Sequence, residues 1–138
     1  MAQNTTPVFT QAPNVDWGST VLTAANTAVD GTGTTLLVYT ADAAEGDFVT
    51  EVLFRAAGTN VATVARIFLN NGSTPATPAN NILIGELTLA ATTISQTSAL
   101  VPYTFPVGRA IDAGFRIYVC IGTAVAAGYY VSCWGGNY

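Results

Sequence analysis

Apolar and polar residues alternate along much of this chain with a period of two, and short turn-forming clusters interrupt the alternation. In the run from Phe115, the residues Phe115, Ile117, Val119 and Ile121 share one face, while Arg116, Tyr118 and Cys120 share the other. In the run from Phe48, Val52, Phe54 and Ala56 oppose Glu51, Leu53 and Arg55. Successive side chains of a β-strand point to opposite sides, so one dry face and one wet face predict antiparallel sheets packed through a single side. Eight runs are expected as strands: 19–25, 34–41, 48–57, 61–70, 82–90, 99–107, 115–122 and 129–135. Each is bounded by Gly, Asn, Asp or Pro, residues that accept turn conformations or end a ladder.

The run 61–70 departs from the pattern. Ile67 and Leu69 lie on one side, Val64 and Phe68 on the other, with Arg66 beside them. Two partly apolar faces predict a strand covered twice, by the core and by a neighbouring subunit. Two other stretches echo each other. FRAAGTNVATVARIF and VCIGTAVAAGYYVSC both place G-T-x-V-A between strands, and both read as hairpins with a short Gly-Thr loop.

Eight strands without a helical stripe predict an all-β fold: an antiparallel eight-stranded β-sandwich, jelly-roll-like. An immunoglobulin-like sandwich is the alternative, but Trp17 precedes Cys120 and Cys133 and Trp134 follows them, which is not the order of that fold. Residues 1–14 are polar and carry Pro7 and Pro13, so they read as an extended N-terminal arm, with a single sandwich domain over 15–138. The C-terminal YYVSCWGGNY runs out of a strand with no charged tail and is expected to end within the structure.

Composition narrows the function classes. The 138 residues suit one domain with a real core, and 50% hydrophobic residues exclude general disorder. Only 9% of residues are charged, where a soluble domain has about a quarter. The surface polarity must come from Thr, Ser, Asn, Gln and backbone, which are less costly to dehydrate than ions. That favours a subunit that buries its outside against neighbours. The net charge is −4, and the cations Arg55, Arg66, Arg109 and Arg116 are scattered singly. A nucleic-acid binder needs a basic stripe, so no direct nucleic-acid contact is expected. The first residues lack the basic and apolar regions of a secretory signal, and no eighteen-residue apolar run suggests a membrane span. Synthesis and folding in a cytoplasm are expected, with Cys120 and Cys133 as reduced, buried small hydrophobes. Their spacing suggests neighbouring strands, which leaves a disulfide as the alternative.

Reactive chemistry is sparse. Histidine and lysine are both absent, which removes histidine bases, triads and Schiff-base lysines. Glu51 and Glu86 form a formal carboxylate pair, but as lone surface acids they read as solvated. Asp42, Glu45 and Asp47 lack the spacing of a Ca²⁺ loop and read as a solvated acidic turn. No enzyme activity, cofactor or metal is expected. Asn4 and Asn71 match the glycosylation pattern but read as polar loops. The remaining candidates are contact residues: Trp17, Leu53, Arg66, Tyr129, Tyr130, Trp134 and Tyr138. The aromatics among them suit core or subunit contacts, or a platform for stacking sugars.

The stretches WGSTVLTAANTAVDGTGTTLLVYTA, VLFRAAGTNVATVARIFLNNGS and VCIGTAVAAGYYVSCWGGNY together resemble small virion proteins of tailed bacteriophages, of the jelly-roll head decoration or cement type. The resemblance implies a homotrimer on the outer surface of a phage head, clamping neighbouring copies of the major capsid protein. It carries no site motif, so it transfers no functional residue. Another virion component, such as a tail, baseplate or head-fibre part, and a glycan-binding module are the alternative functions.

Overall fold

A computed structural model of the chain describes residues 12–137. Residues 1–11, the greater part of the predicted arm, and Tyr138 lie outside the described residues. Eight strands occur among the described residues: β1 Ala12–Trp17, β2 Leu36–Thr40, β3 Asp47–Ala56, β4 Thr63–Asn70, β5 Asn81–Leu89, β6 Tyr103–Ile111, β7 Arg116–Ile121 and β8 Tyr129–Asn137. They build two four-stranded sheets, β1-β8-β3-β6 and β2-β7-β4-β5. Within them β1 pairs with β8, β2 with β7, β3 with β6 and β4 with β5, all antiparallel. The chain is therefore one long hairpin, turned at β4–β5 and rolled up, with β3–β8 and β4–β7 as the contacts made by rolling. That is the jelly-roll-like sandwich expected from the pattern.

The core lies between the sheets. Val49, Val52 and Phe54 of β3 and Val131 and Cys133 of β8 face Ala65 and Ile67 of β4 and Ile117, Val119 and Ile121 of β7. The alternation in β3 and β7 thus points the expected residues inward.

The strands depart from the expected pattern in four places. First, the run 19–25 is not a ladder strand. It makes one antiparallel bridge, Leu22 to Tyr129 in β8, and one parallel bridge, Ala25 to Ile121 in β7. Those partners belong to different sheets, so the segment crosses from one to the other too quickly to pair continuously with either. Second, β1 occupies part of the predicted arm: Ala12 to Asn14 already pair with β8. Pro13 lacks an N–H, which an edge strand tolerates. Third, the sixth strand is Tyr103–Ile111, later than the expected 99–107. Gly108, just past the end of the expected run, instead sits within the strand, in a register shift of β6 against β3 with φ of 58°. A bulge with a left-handed glycine bends a strand without ending it.

Fourth, the two Gly-Thr loops are not hairpins. The β3–β4 and β7–β8 links each pass from one sheet to the other, and they lie side by side. A Cβ on Gly58 would stand 2.8 Å from the Cβ of Ala127. Buried Asn60 joins the two loops: its Oδ1 accepts the N–H groups of Ala127 (2.9 Å) and Gly128 (2.8 Å), and its Nδ2 donates to the Gly128 carbonyl at 2.9 Å.

Candidate functional site

The two sheets differ on their outer faces. On the β2-β7-β4-β5 sheet, Phe68, Tyr118 and Cys120 form a second buried cluster, separate from the main core. β4 is covered on both faces, as its pattern predicts, and the chain itself supplies cover on the second face. The segment between β1 and β2 is tied across this face. Asn26 N donates to the Ile121 carbonyl (2.7 Å), and the Asn26 carbonyl accepts Arg66 Nη1 (3.2 Å). Further along, the Asp30 carbonyl accepts Asn81 Nδ2 at the start of β5 (3.1 Å). Asn26 also holds the segment's own shape, because its Nδ2 donates to the carbonyls of Thr32 (2.7 Å) and Thr34 (2.9 Å). Arg66, a candidate contact residue, is engaged here. Its Nε meets Glu86 Oε1 at 2.9 Å, the one salt bridge among the described residues.

The outer face of the β1-β8-β3-β6 sheet carries the other candidates. Strand register places Val15, Trp134, Glu51 and Pro106 in one row, and Trp17, Ser132, Leu53 and Thr104 in the next. Tyr130 and Arg55 begin the third row. Neighbours in a row are about 4.8 Å apart and rows about 7 Å apart, so these side chains form one continuous surface. Trp17 is 70% exposed, Tyr130 62% and Trp134 45%. Trp134 Nε1 donates to Ser132 Oγ at 3.2 Å, which directs its ring along the face. Exposed aromatics grouped this way are uncommon on a monomeric surface and mark contact sites. Glu51 and Arg55 flank Leu53 and form no ion pair among the described residues.

Four of the seven candidates, Trp17, Leu53, Tyr130 and Trp134, therefore meet on one face. Arg66 lies on the opposite sheet. Tyr129 is fully buried in the core, and its hydroxyl lies near Asn60 without a well-formed hydrogen bond among the described residues. Tyr138 lies outside the described residues. Val15 belongs to the face too; its segment falls between the expected arm, 1–14, and the first expected strand, 19–25, and carries no strand signal.

β1 is held in place by polar groups that point inward. Asn14 Nδ2 donates to Asp47 Oδ2 (2.8 Å) and to the Thr40 carbonyl (3.0 Å), and Asp16 Oδ2 accepts the Thr40 N–H (3.0 Å). Asp47, expected in a solvated turn, is instead buried, and its Oδ2 also accepts the Tyr39 hydroxyl at 2.7 Å and the Asp42 N–H at 3.1 Å. A buried carboxylate needs such donors to offset its lost hydration. Asp42 stays at the surface. It accepts the N–H groups of Glu45 and Ala44, which hold its carboxyl below the ordinary range.

Glu51 and Glu86 stand on the outer faces of different sheets and do not form a pair. Cys120 and Cys133 are free. β7 and β8 lie in different sheets rather than as neighbours, and Cys120 points outward while Cys133 points into the core. Burial raises both thiols, Cys133 to about 12. Among the described residues no group of three His, Cys, Asp or Glu is placed to hold a metal ion, and no helix is long and apolar enough to cross a membrane. An apolar cleft of about 130 Å³ opens between β5 and β6, lined by Leu69, Ile84, Phe105, Val107, Ile111 and Ile117.

Compared with protein families, curated proteins and solved structures, the chain shows no match.

Proposed function

We propose that the protein is a virion structural subunit, a decoration protein that sits on the outside of a tailed-phage head and stabilises contacts between major capsid subunits. The observation that carries this reading is one sheet face that exposes Trp17, Tyr130 and Trp134 around half-buried Leu53 and Val15. Such a surface offers adhesion, with aromatic anchors that bury large area at low entropic cost. The low charge adds to this by keeping desolvation of the rim inexpensive. A net charge of −4 without a basic patch suits a position away from packaged DNA. The sequence resemblance points the same way, and it implies a trimer on the head.

The test is addition of the purified protein to phage head shells that lack it. Saturable binding and a higher temperature of DNA release are expected, and Trp134→Ala should weaken both without lowering the protein's own melting temperature. No binding and unchanged DNA release would remove the reading. Binding at a tail or baseplate instead, seen by labelled particles in electron microscopy, would move the subunit elsewhere on the virion.

One observation favours a second reading. Trp17 and Tyr130 are exposed enough to stack against sugar rings. A glycan-binding module should then give saturable signals on a glycan array that Trp17→Ala abolishes.

A further inference from the structure

We infer that two copies of the protein pair face to face through the outer surface of the β1-β8-β3-β6 sheet, around a two-fold axis running across the strands at the level of Leu53. The inference rests on the reading of the protein as an assembly subunit and names the partner that first meets its bare face.

A two-fold contact uses the same patch on both copies, so the patch must be complementary to itself when reversed. The β3 column reads Glu51, Leu53, Arg55 outward. Reversed on a second copy it reads Arg55, Leu53, Glu51. An axis across the strands at Leu53 therefore lays each Glu51 over the other copy's Arg55, twice per pair, with Leu53 on Leu53 between them. The neighbouring strand follows the same rule. Trp134 lies beside Glu51 and Tyr130 beside Arg55, so the same axis lays each Trp134 over the other copy's Tyr130. On β1, Trp17 shares the row of Leu53 through Ser132, and the two Trp17 residues meet on the axis. One operation thus matches acid to base, Trp to Tyr, and the central row to itself.

The charges are available for this. Arg66 is already paired with Glu86, whereas Glu51 and Arg55 have no ion pair among the described residues. The opposite sheet is not an equivalent surface, because the segment carrying Asn26 is tied across it. Sheets stack face to face at about 10 Å with strand directions within about 30°, so twist shifts the outer rows but leaves the row on the axis in contact. One four-stranded face lies at the small end of specific interfaces, which predicts reversible pairing at micromolar concentration rather than a permanent dimer. Pairing uses the face that the decoration reading gives to the shell, so in free solution a second copy covers it and is exchanged for the capsid on docking.

The test is the mass of the full chain in solution, followed by light scattering and sedimentation across a series reaching about 100 µM. The wild type should rise from one to two chain masses. Glu51→Arg and Arg55→Glu should each weaken pairing about tenfold or more, since each places like charges together at two symmetric positions. The double variant E51R/R55E should pair like the wild type. A monomer throughout the series, a three-chain species, single reversals without effect, or a double variant that fails to pair would each overturn the inference. Thermal melts of every variant separate lost pairing from lost fold. A monomer that still binds head shells would sink the pairing and leave the decoration reading standing. A dimer that ignores shells would do the reverse.

Discussion

Tyr39 and Asp47 meet inside the sandwich, hydroxyl to carboxylate at 2.7 Å, across the turn that joins β2 to β3. Burial first, and the hydrogen bond to Asp47 second, push the Tyr39 phenol far above its ordinary range. The same Asp47 oxygen collects Asn14 from β1 and the Asp42 N–H from the turn, so one buried atom fastens the start of both sheets. Gly135 on β8 leaves the space: a Cβ there would come within 2.7 Å of the Tyr39 hydroxyl.

Two tyrosines of similar burial should therefore respond oppositely to loss of the hydroxyl. Tyr39→Phe removes a donor from a buried carboxylate and is expected to cost about 1.5–3 kcal/mol. Tyr129→Phe removes a buried hydroxyl that has no well-formed hydrogen bond among the described residues. It is expected to be neutral or to stabilise by up to about 1 kcal/mol. Urea midpoints of the two variants at neutral pH make the comparison. Equal losses would mean that Tyr129 has a polar partner after all.

Alkaline pH should weaken the fold in a defined order. Burial, with Asp16 and Glu51 adding negative charge nearby, raises Cys133 to about 12. Unfolded, the thiol ionises near its ordinary pKa of about 8.5. A group whose folded pKa is raised keeps its proton in the native state after the unfolded chain has lost it, so it favours unfolding as pH climbs through that window. Stability should be flat below the ordinary thiol range, then fall toward pH 12 by up to about 1.4 kcal/mol per pH unit. Tyr39 joins this loss above about pH 10. Cys133→Ala should lower stability at pH 7, since it leaves a small cavity, yet reduce the slope between about pH 9 and 10, where Cys120, also raised by burial, supplies the remainder. A variant with an unchanged slope would show that Cys133 does not set it.

Asn60 should be among the most sensitive polar positions. Its amide serves three backbone groups of the β7–β8 link, and its own N–H and carbonyl exchange hydrogen bonds with Thr92 of the β5–β6 link. Asn60→Ala keeps the backbone pair but leaves buried amide groups of Ala127 and Gly128 unpaired. About 2–3 kcal/mol of stability should be lost, read as a lower urea midpoint. Gly128 should also lose hydrogen-exchange protection first. A loss within about 0.5 kcal/mol would show that water replaces the amide without cost.

These sites explain which parts of the fold were legible. The alternation in β3 and β7 reports burial directly, and it carried the sandwich and the inward residues. The bare face was partly legible for the same reason, since Leu53 and the exposed aromatics occupy the outward phase of their strands. β1 was illegible because its phase is inverted. Asn14 and Asp16 point inward to hydrogen bonds while half-buried Val15 and exposed Trp17 take the outer face. Hydrophobicity alone assigns such a strand to the outside. The Gly-Thr links misled because local turn chemistry does not say whether the next strand joins the same sheet or the opposite one. That choice is made by long-range contacts such as Asn60 to Gly128.

The last expectation concerns the segment tied over Phe68, Tyr118 and Cys120. Asn26 holds it through its side-chain bonds to Thr32 and Thr34, and Cys120 Sγ lies 3.9 Å from the Asn26 carbonyl. Cys120 therefore reports on this cover, while Cys133 reports on the main core. In the wild type both thiols are buried and raised by burial, so both should resist thiol reagents at neutral pH until the protein unfolds. Asn26→Ala leaves the backbone bond to Ile121 intact but frees the segment from its own folded shape. Local opening needs less free energy than global unfolding when few apolar contacts are lost. Labelling followed by mass spectrometry should then find Cys120 modified at least about tenfold faster than Cys133. Equal rates at both cysteines would mean that the segment and the sandwich open as one unit, and that the covering of this sheet is part of the core rather than a separate layer laid over it.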